Sequence, residues 1–322
     1  MSINWPYYSK SEIEKVSKII KSGKVNYWTG NECKKFENEF EKYFGLNHCI
    51  AVANASLGLE ASILSLDLKK NDEVITTPRS YNSSASSIIR AGAKVVFADI
   101  DKTTQNIDPN SIQKKITKNS KAILCVHLAG MPCDMIAIKK IAKKNNLKII
   151  EDCSQAHGAK YCNKYVGSFG DIAVWSFCND KIISTLGEGG MIAVKSKKLF
   201  KKIWSIKEIG KDYHLSNTKE KPTFKWVHKT LGTNMRMTEI QAATGRIQLR
   251  KLNLNIKRRR VLAKILDHGI KDSILFATQK AHKDYYNAYY KYYVFLNYEI
   301  LKKNWNKPKI INILKKNKIN VS

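Results

Sequence analysis

Between residues 50 and 250, short apolar runs alternate with stretches in which apolar residues recur at helical spacing. The short runs are rich in Val and Ile and predict buried strands. In one-letter code, the expected strands lie in CIAVANAS, DEVITTP, KVVFADI, KAILCVHLAG, LKIIEDCS and IAVWSF. Strands that alternate with helices are typical of a parallel sheet with crossover helices. The pattern therefore predicts an α/β fold with three layers, α/β/α.

The two ends of the chain follow other patterns. Residues 1–45 predict helices, because SEIEKVSKIIKSGK and NECKKFENEFEKYFG repeat apolar residues at helical spacing. Beyond a long helical stretch that starts at TEIQAATG, the segment KDYYNAYYKYYVFLNYEI suggests one strand and KPKIINILKKNKI one helix. We expect a large α/β domain over residues 1–250, including the helical start, and a smaller, truncated α+β domain over residues 251–322.

The charge of the chain raises the question of a nucleic-acid partner. The formal net charge is +30 over 322 residues, and Lys and Arg contacts to phosphate dominate nucleic-acid binding. The basic residues are spread as pairs such as Lys139-Lys140 on the polar faces of predicted helices, which is typical of solvated surfaces. No motif that reads nucleic acid is present. We expect no nucleic-acid partner and keep a basic nucleic-acid-binding protein as the less favoured alternative.

Two further features concern compartment and metals. No apolar stretch approaches the roughly 20 residues that a membrane helix needs, and the start of the chain lacks the apolar core of a signal peptide. We therefore expect a cytoplasmic protein with no membrane partner. The seven cysteines are scattered and form no CxxC pair, so the sequence indicates neither a disulfide framework nor a metal site.

Polar residues suited to chemistry follow three of the predicted strands. Asp152 ends IIED and is followed by Gln155; Ser176 ends AVWS and is followed by Lys181; residues 54–56, Asn-Ala-Ser, precede a helix. Ligands of open α/β sheets bind at the carboxyl ends of the strands. Each residue alone has an ordinary explanation, since an acidic residue or a serine there often caps a helix and most lysines are solvated.

Together these residues fit the needs of pyridoxal phosphate (PLP). A lysine forms a Schiff base with its aldehyde, and a carboxylate keeps its pyridine nitrogen protonated. A helix N-terminus, such as the one at Ala55 and Ser56, favours the 5′-phosphate. An aromatic side chain, for which Tyr81 is the candidate, stacks on the ring. The strand ends therefore predict a PLP site.

These residues lie within motifs that resemble one family along nearly the whole chain. The motifs are YWTGNECKKFE, AVANAS, EVITTPRSY, AGAKVVFADIDKTTQNIDP, VHLAGMPCDM, IIEDCSQAHGAKY, VGSFGDIAVWSF, DKIISTLGEGG and LGTNMRMTEIQAATGRIQL. In this order they resemble the DegT/DnrJ/EryC1/StrS sugar aminotransferases, which are PLP-dependent enzymes of the aspartate-aminotransferase fold, fold type I. The family also contains dehydratases in which histidine replaces the lysine, so Lys181 indicates transamination.

The resemblance implies roles for the site residues. Lys181 would form the Schiff base and move the proton between substrate and cofactor. Contacts to the cofactor are implied for Asp152, Gln155, Ser176, Ala55, Ser56, Tyr81 and Asn234. Asp152 would pair with the pyridinium nitrogen, and Gln155 would bond the ring hydroxyl. Ser176, Ser56 and the backbone of Ala55 would hold the phosphate, while Tyr81 would stack on the ring. Asn234 would reach the phosphate of a neighbouring subunit, which implies a homodimer with shared active sites.

The resemblance also implies the reaction. Glutamate would donate an amino group to a nucleotide-linked 4-keto-6-deoxyhexose, for surface polysaccharides such as the O-antigen of lipopolysaccharide. The form SFCNDKI followed by GEGGM is closer to the perosamine-type 4-aminotransferases. Two positions depart from the family: Ala55-Ser56 replaces the usual Gly-Thr, and Leu186 replaces Thr or Gly. The chain ends early relative to family members, so a truncated, weakly active or non-catalytic PLP-binding relative is the other alternative.

Overall fold

The computed structural model describes residues 5–218, 227–280, 282–319 and 321. Numbered along the chain, the strands are β1 (His48–Val52), β2 (Glu73–Thr76), β3 (Lys94–Phe97), β4 (Ser120–Val126), β5 (Lys148–Asp152), β6 (Lys160–Tyr161), β7 (Lys164–Tyr165), β8 (Ile172–Ser176), β9 (Gly190–Val194), β10 (Phe276–Thr278), β11 (Tyr285–Tyr286) and β12 (Val294–Leu296). The six strands expected from the sequence are confirmed as β1–β5 and β8.

Ten helices lie along the described chain. They are α1 (Lys10–Lys21), α2 (Glu32–Phe44), α3 (Ala55–Leu64), α4 (Ser83–Arg90), α5 (Pro109–Lys115), α6 (Met135–Lys144), α7 (Lys197–Lys207), α8 (Tyr213–Asn217), α9 (Glu239–Ile270) and α10 (Lys307–Lys316). The two expected in the first 45 residues, the long one from TEIQAATG and the one in KPKIINILKKNKI are present as α1, α2, α9 and α10. Within the described ranges, no helix has both the length and the apolar character needed to cross a membrane.

A seven-stranded sheet in the order β1-β9-β8-β5-β4-β2-β3 forms the centre of the fold. Alternate residues of a strand point to opposite faces. In β8, Ala173 and Trp175 pack in one core with residues of α2 and α9, while Ile172 and Val174 pack in another with residues of α3 and α7. Helices therefore cover both faces, and the predicted three-layer α/β/α fold is confirmed.

The parallel pairing expected for the sheet does not extend to β9, a strand that was not expected from the sequence. This strand lies between β1 and β8 and runs antiparallel to both, and its Gly190 pairs with Val52 and Ser176. A strand that enters directly from a loop beside its neighbour needs no crossover helix, so it pairs antiparallel. Because β9 is antiparallel to both β1 and β8, these two strands run parallel to each other. Their carboxyl ends therefore lie at the same edge of the sheet.

The helical start of the chain is fixed to α9. The Glu12 carboxylate of α1 accepts hydrogen bonds from Gln248 Nε2 (2.6 Å) and Lys251 Nζ (2.7 Å). The Glu239 carboxylate accepts the backbone amide of Cys33 at 3.1 Å, near the start of α2. Negative charge at a helix N-terminus is favourable, so α9 orients both helices.

The chain after α9 contains more strand than the sequence indicated. The single expected strand is present as β12, but it pairs antiparallel with β10, which was not expected. The short β11 pairs with β6 of the hairpin β6–β7. The expected domain boundary at residue 250 falls within α9, which runs without a break from residue 239 to residue 270. The division into residues 1–250 and 251–322 stays a prediction.

Candidate active site

The carboxyl ends of the central strands border a cavity of about 940 Å³. Seven of the eight residues predicted for the site line it, and they are Lys181, Asp152, Gln155, Ser176, Ala55, Ser56 and Tyr81. The eighth, Asn234, does not line the cavity of its own chain. Residues separated by more than 100 positions along the sequence therefore line the same cavity.

Lys181 lies in the loop that joins β8 to β9. Its side chain is 15% exposed, so the amine is enclosed but open to the cavity. Nζ donates to Tyr290 Oη (3.1 Å) and lies 3.3 Å from Asp180 Oδ1. Tyr290 Oη in turn donates to Asp180 Oδ2. The three side chains form a closed set of contacts around the lysine amine.

These contacts influence the protonation of Asp180 and Tyr290. Burial opposes ionisation of Asp180, but the hydrogen bond from Tyr290 and the positive charge of Lys181 outweigh it and lower the pKa of the carboxyl. Burial and the Asp180 carboxylate both raise the pKa of Tyr290. Tyr290 therefore stays protonated and donates to the carboxylate, while its oxygen accepts from Lys181.

Asp152 ends β5, next to β8, and is buried. Its Oδ1 accepts the backbone amide of Ser154 (3.1 Å), and its Oδ2 accepts the hydroxyl of Ser84 (3.1 Å). No Lys, Arg or His side chain of the described residues forms an ion pair with it within 4 Å. A buried carboxylate that is held by two neutral donors and faces a cavity is suited to a positively charged ligand atom.

The start of α3 forms another wall of the cavity. The Asn54 side chain caps the helix by accepting the amide of Leu57 (3.0 Å). The amides of Ala55 and Ser56, at the first two helical positions, have no acceptor within the helix. A Cβ at Gly190 would lie only 2.8 Å from the carbonyl carbon of Asn54. Glycine therefore lets β9 pass close beneath an anion-binding helix start.

Three other predicted residues lie around this centre. Ser176, at the end of β8, is buried and its Oγ accepts the amide of Cys178 (3.3 Å). Gln155 Oε1 accepts the amide of Ala129 (2.7 Å), which fixes the direction of its side chain. The Tyr81 ring is 74% exposed at the rim, so one of its faces is free to cover a bound ring.

Asn234 lies beside the end of β1, in a segment whose Met235 carbonyl accepts the amide of Ala53 (2.8 Å). The Asn234 side chain is exposed, and its Oδ1 accepts the amide of Arg236 (3.3 Å). Leu231, three residues earlier, is 94% exposed. The structure therefore separates Asn234 from the seven cavity residues and leaves it at the surface.

Some cavity residues were missed by the sequence reasoning. They are Asp180, Tyr290, Arg79, Lys291 and Tyr293. The adjacency of Asp180 and Lys181 was a visible signal, and so was the aromatic run from residue 285 to residue 295. Nothing in the local pattern assigned that run to this cavity. Leu186, the unexplained position of the glycine loop, has a φ of +61° and is 40% exposed, a conformation more usual for glycine.

A second cluster of reactive side chains is closed. His127, Glu151 and Cys153 are buried, with candidate metal-ligand atoms within 4.8 Å of one another. His127 Nδ1 accepts the amide of Cys133 (3.0 Å), and Nε2 donates to Glu151 (3.1 Å). Glu151 also accepts three backbone amides from Gly167, Phe169 and Gly170. Because both imidazole nitrogens and both carboxylate oxygens are engaged, the cluster fixes the loop before β8 rather than facing the cavity.

His157, close to the sheet edge, is also part of the core. Burial and the charge of Lys181 lower the pKa of His157 to about 3. The ring lies 5.8 Å from that of Phe177. The imidazole is therefore neutral at physiological pH and packs as an aromatic group.

The chain matches the family model described as the DegT/DnrJ/EryC1/StrS aminotransferase family over residues 6–322. It is 36% identical over 288 residues to GDP-perosamine synthase of Escherichia coli O157:H7, covering 88% of this chain and 76% of that one. It is 40% identical over 262 residues to dTDP-3-amino-3,6-dideoxy-alpha-D-galactopyranose transaminase of Aneurinibacillus thermoaerophilus, covering 81% of this chain and 69% of that one. The solved structure of an aminotransferase from Psychrobacter cryohalolentis superposes with a TM-score of 0.94 at 41% identity, covering 98% of this chain and 82% of that one.

Proposed function

This chain belongs to the DegT/DnrJ/EryC1/StrS aminotransferase family, and we propose that it transfers an amino group from glutamate to C4 of a nucleotide-linked 4-keto-6-deoxyhexose. Aminotransferases of this family are PLP-dependent. The observation that carries the proposal is the convergence of Lys181, Asp152 and the start of α3 on one cavity. An amine, a buried carboxylate and a set of free amides are the groups that hold this cofactor.

The cavity residues offer hydrogen-bonding groups and charges that match those of PLP. Asp152 has two neutral donors and, among the residues that the structure describes, no cationic side chain beside it, which suits a protonated pyridine nitrogen. The Ala55 and Ser56 amides and the Ser176 hydroxyl suit a phosphate. Gln155 suits the ring hydroxyl, and Tyr81 suits the face of the ring. Bound PLP supplies an aldehyde carbon that takes up amines and a conjugated ring that accepts electrons.

In the proposed mechanism, the chain's own groups hold and move protons. Asp152 keeps the proton on the pyridine nitrogen through both halves of the reaction. Lys181 Nζ anchors the cofactor, removes the proton from the α-carbon of the amino donor, and delivers a proton to C4 of the sugar in the second half. Asp180 and Tyr290 hold Nζ within the cavity while it is free, so the base stays within reach of the reacting carbon.

Tyr290→Phe tests that positioning. The change removes the hydroxyl that links Lys181 to Asp180 and leaves the ring. We expect kcat to fall about tenfold with little change in the KM of glutamate, since a hydrogen bond to a charged group contributes about 1.5–3 kcal/mol. Tyr292→Phe is the matched control, because Tyr292 Oη donates to Asp267 Oδ1 (2.6 Å) and is not among the cavity residues. Equal steady-state kinetics for the two variants would contradict the positioning role.

The choice of a nucleotide sugar rests on the relatives. One similar enzyme is named a GDP-perosamine synthase and another a dTDP-aminosugar transaminase, and a third, from Bacillus subtilis, is named a spore coat polysaccharide biosynthesis protein. The cavity volume of about 940 Å³ leaves room for a sugar nucleotide beside the cofactor. We place the product in surface polysaccharide synthesis, of the O-antigen type in lipopolysaccharide, and the reaction in the cytoplasm.

The proposed reaction is tested with the purified holoenzyme. Glutamate is supplied with GDP-4-keto-6-deoxymannose or with dTDP-4-keto-6-deoxyglucose, and formation of 2-oxoglutarate and of the amino sugar is followed by mass spectrometry. NMR of the product distinguishes amination at C4 from amination at C3. We expect amination at C4 of one of the two compounds. A chain that binds PLP and turns over neither compound would contradict the proposed substrate and favour the weakly active or non-catalytic relative, and a C3 product would contradict the proposed position.

We propose further that the enzyme is a homodimer in which Asn234 reaches the phosphate site of the partner. The exposure of Asn234 outside its own cavity and the exposed apolar Leu231 near it support this arrangement. Mixing the Lys181→Ala and Asn234→Ala variants tests it. Only a mixed dimer holds one site with both residues intact, so equal mixing restores roughly a quarter of wild-type activity after subunit exchange. Activity no higher than the average of the two separate variants would contradict a shared site.

A further inference from the structure

Two cationic side chains at the rim of the cavity have no part in the proposed cofactor site. Arg79 lies in the loop between β2 and α4, and Lys291 lies between β11 and β12; both are exposed and both line the cavity. Within the described residues, neither forms an ion pair with a carboxylate within 4 Å. Positive charges that face a cavity without a carboxylate partner are suited to an anionic ligand.

Arg79 is held in place by aromatic rings. Its guanidinium carbon lies 5.5 Å from the centroid of the Tyr293 ring and 5.9 Å from that of Phe295. Its backbone amide donates to Thr77 Oγ1 (3.2 Å), which fixes the loop. Contacts to ring faces orient a guanidinium and leave its N–H groups free to donate. The loss of side-chain freedom on binding a ligand is therefore small.

The carboxylates of the cavity lie elsewhere. Asp152 is buried and is assigned to the proposed cofactor, and Asp180 is bound by Tyr290 and Lys181. Glu188 lies just before β9, and three strands separate β9 from β2, from which Arg79 extends. At about 4.8 Å per strand, the two strands are about 19 Å apart. Arg79 is thus on the side of the cavity away from the acidic residue of the glycine loop.

The position along the cavity indicates which anion binds there. The keto carbon of the sugar has to reach Lys181 Nζ, which contacts Tyr290. Lys291 follows Tyr290 directly, and Arg79 contacts Tyr293 of the same segment. Both cations therefore line the cavity that holds Lys181 and lie next to the segment that contacts its amine. A nucleotide-linked sugar whose keto carbon reaches Lys181 carries two phosphates that suit such cations.

We propose that Arg79 and Lys291 form an oxyanion subsite that binds the diphosphate of the sugar nucleotide; this rests on the proposed function for the identity of the substrate. The planar guanidinium donates two parallel hydrogen bonds to phosphate oxygens, and the Lys291 ammonium adds a second charge. The subsite holds the nucleotide end, so the sugar end is directed to Lys181.

Binding to the holoenzyme tests the subsite directly. GDP and dTDP are titrated calorimetrically, with guanosine and thymidine as phosphate-free controls. We expect Arg79→Gln to lower the affinity for the diphosphate that the wild type binds by about tenfold or more. The affinity of Arg79→Lys should lie between those of the wild type and Arg79→Gln. Nucleoside binding should not change. The matched control is Arg258→Gln, because Arg258 is an exposed arginine of α9 that is not among the cavity residues. We expect the affinity of this variant for the diphosphate to remain within about twofold of the wild-type value.

A carboxylate of glutamate is the other source of an oxyanion, and the first half-reaction distinguishes it. Glutamate is mixed with each variant, and the loss of the absorbance band of the lysine-bound cofactor is timed. Under the proposal, Arg79→Gln reacts with glutamate at the wild-type rate. A slower glutamate reaction with unchanged diphosphate affinity overturns the proposal, and so does a variant unchanged in both assays. Wild-type enzyme that binds neither diphosphate also overturns it. Tight diphosphate binding lost in Arg79→Gln, without turnover of the two keto sugars, would refute the proposed substrate and uphold the subsite.

Discussion

The Lys181→Ala variant is expected to lose transaminase activity by about 10⁴-fold or more, because one nitrogen serves both as covalent anchor and as proton carrier. Among the described residues that line the cavity, the other amine is that of Lys291 at the rim, whose Nζ lies 5.5 Å from the centroid of the Tyr290 ring. Lys291 is exposed and is assigned to the proposed anion subsite, so we expect it not to take over the role of Lys181. The fold should be kept, since the Lys181 side chain is not part of a packed core.

Two measurements and a control variant check this result. The absorbance band of lysine-bound PLP should be absent from Lys181→Ala and present in the wild type. Borohydride reduction followed by peptide mass spectrometry should place the cofactor on Lys181 in the wild type only. Lys139→Ala, at an exposed position of α6, is the control and should behave as the wild type in both. A variant that keeps the band and the activity would show that another lysine holds the cofactor.

The parts of the site that the sequence predicted are those that local rules determine. Asp152 and Ser176 are the last residues of apolar strands. Ala55 is the first residue of α3 and directly follows its cap, Asn54. The carboxyl ends of parallel strands share an edge of the sheet, so these residues had to meet once the strands were recognised. Asp152, Ser176 and Ala55 line one cavity, while the roles assigned to them remain proposals.

Residues from the end of the chain were not predictable in the same way. The contact between Lys181 and Tyr290 joins positions 109 residues apart. Its formation depends on how the segment after α9 folds back over the sheet edge, where the amide of Ala288 donates to the carbonyl of Gly130 (3.0 Å). A Cβ at Gly130 would lie 2.7 Å from the Tyr289 amide. The sequence suggested a strand in this aromatic run, but nothing local indicated what the run would cover.

The direction of β9 shows a second limit of local reasoning. Its residues, Gly190–Val194, read as an apolar run like those of the parallel strands. Whether such a run pairs parallel or antiparallel depends on the connection before it. Here the glycine loop returns the chain directly to the neighbouring strand, so Gly190 ends up opposite Ser176. The same loop thereby brings α3 and Lys181 to one edge.

The Asp152→Asn variant is expected to keep PLP bound through Lys181 and to lose about 10²- to 10³-fold in kcat, the usual effect of removing one electrostatic partner from a reacting group. The substitution preserves shape. Asn Oδ1 still accepts the Ser154 amide, and the Ser84 hydroxyl can rotate to accept from the new amide nitrogen. What is lost is the charge that keeps a proton on the pyridine nitrogen, since an amide donates to that nitrogen instead of accepting from it.

The matched control for this variant is Asp171→Asn, which makes the same chemical change at the opposite edge of the same sheet. Asp171 precedes β8, where its Oδ2 accepts the amide of Ile149 (2.9 Å) and its Oδ1 pairs with Lys148 (3.3 Å). We expect its kcat to remain within about twofold of wild type, because its charge is remote from the cavity. If both variants bind PLP and Asp152→Asn turns over as fast as Asp171→Asn, the buried carboxylate is not the partner of the pyridine nitrogen. If only Asp152→Asn is slow, with unchanged PLP content, its charge acts on the chemistry rather than on cofactor binding.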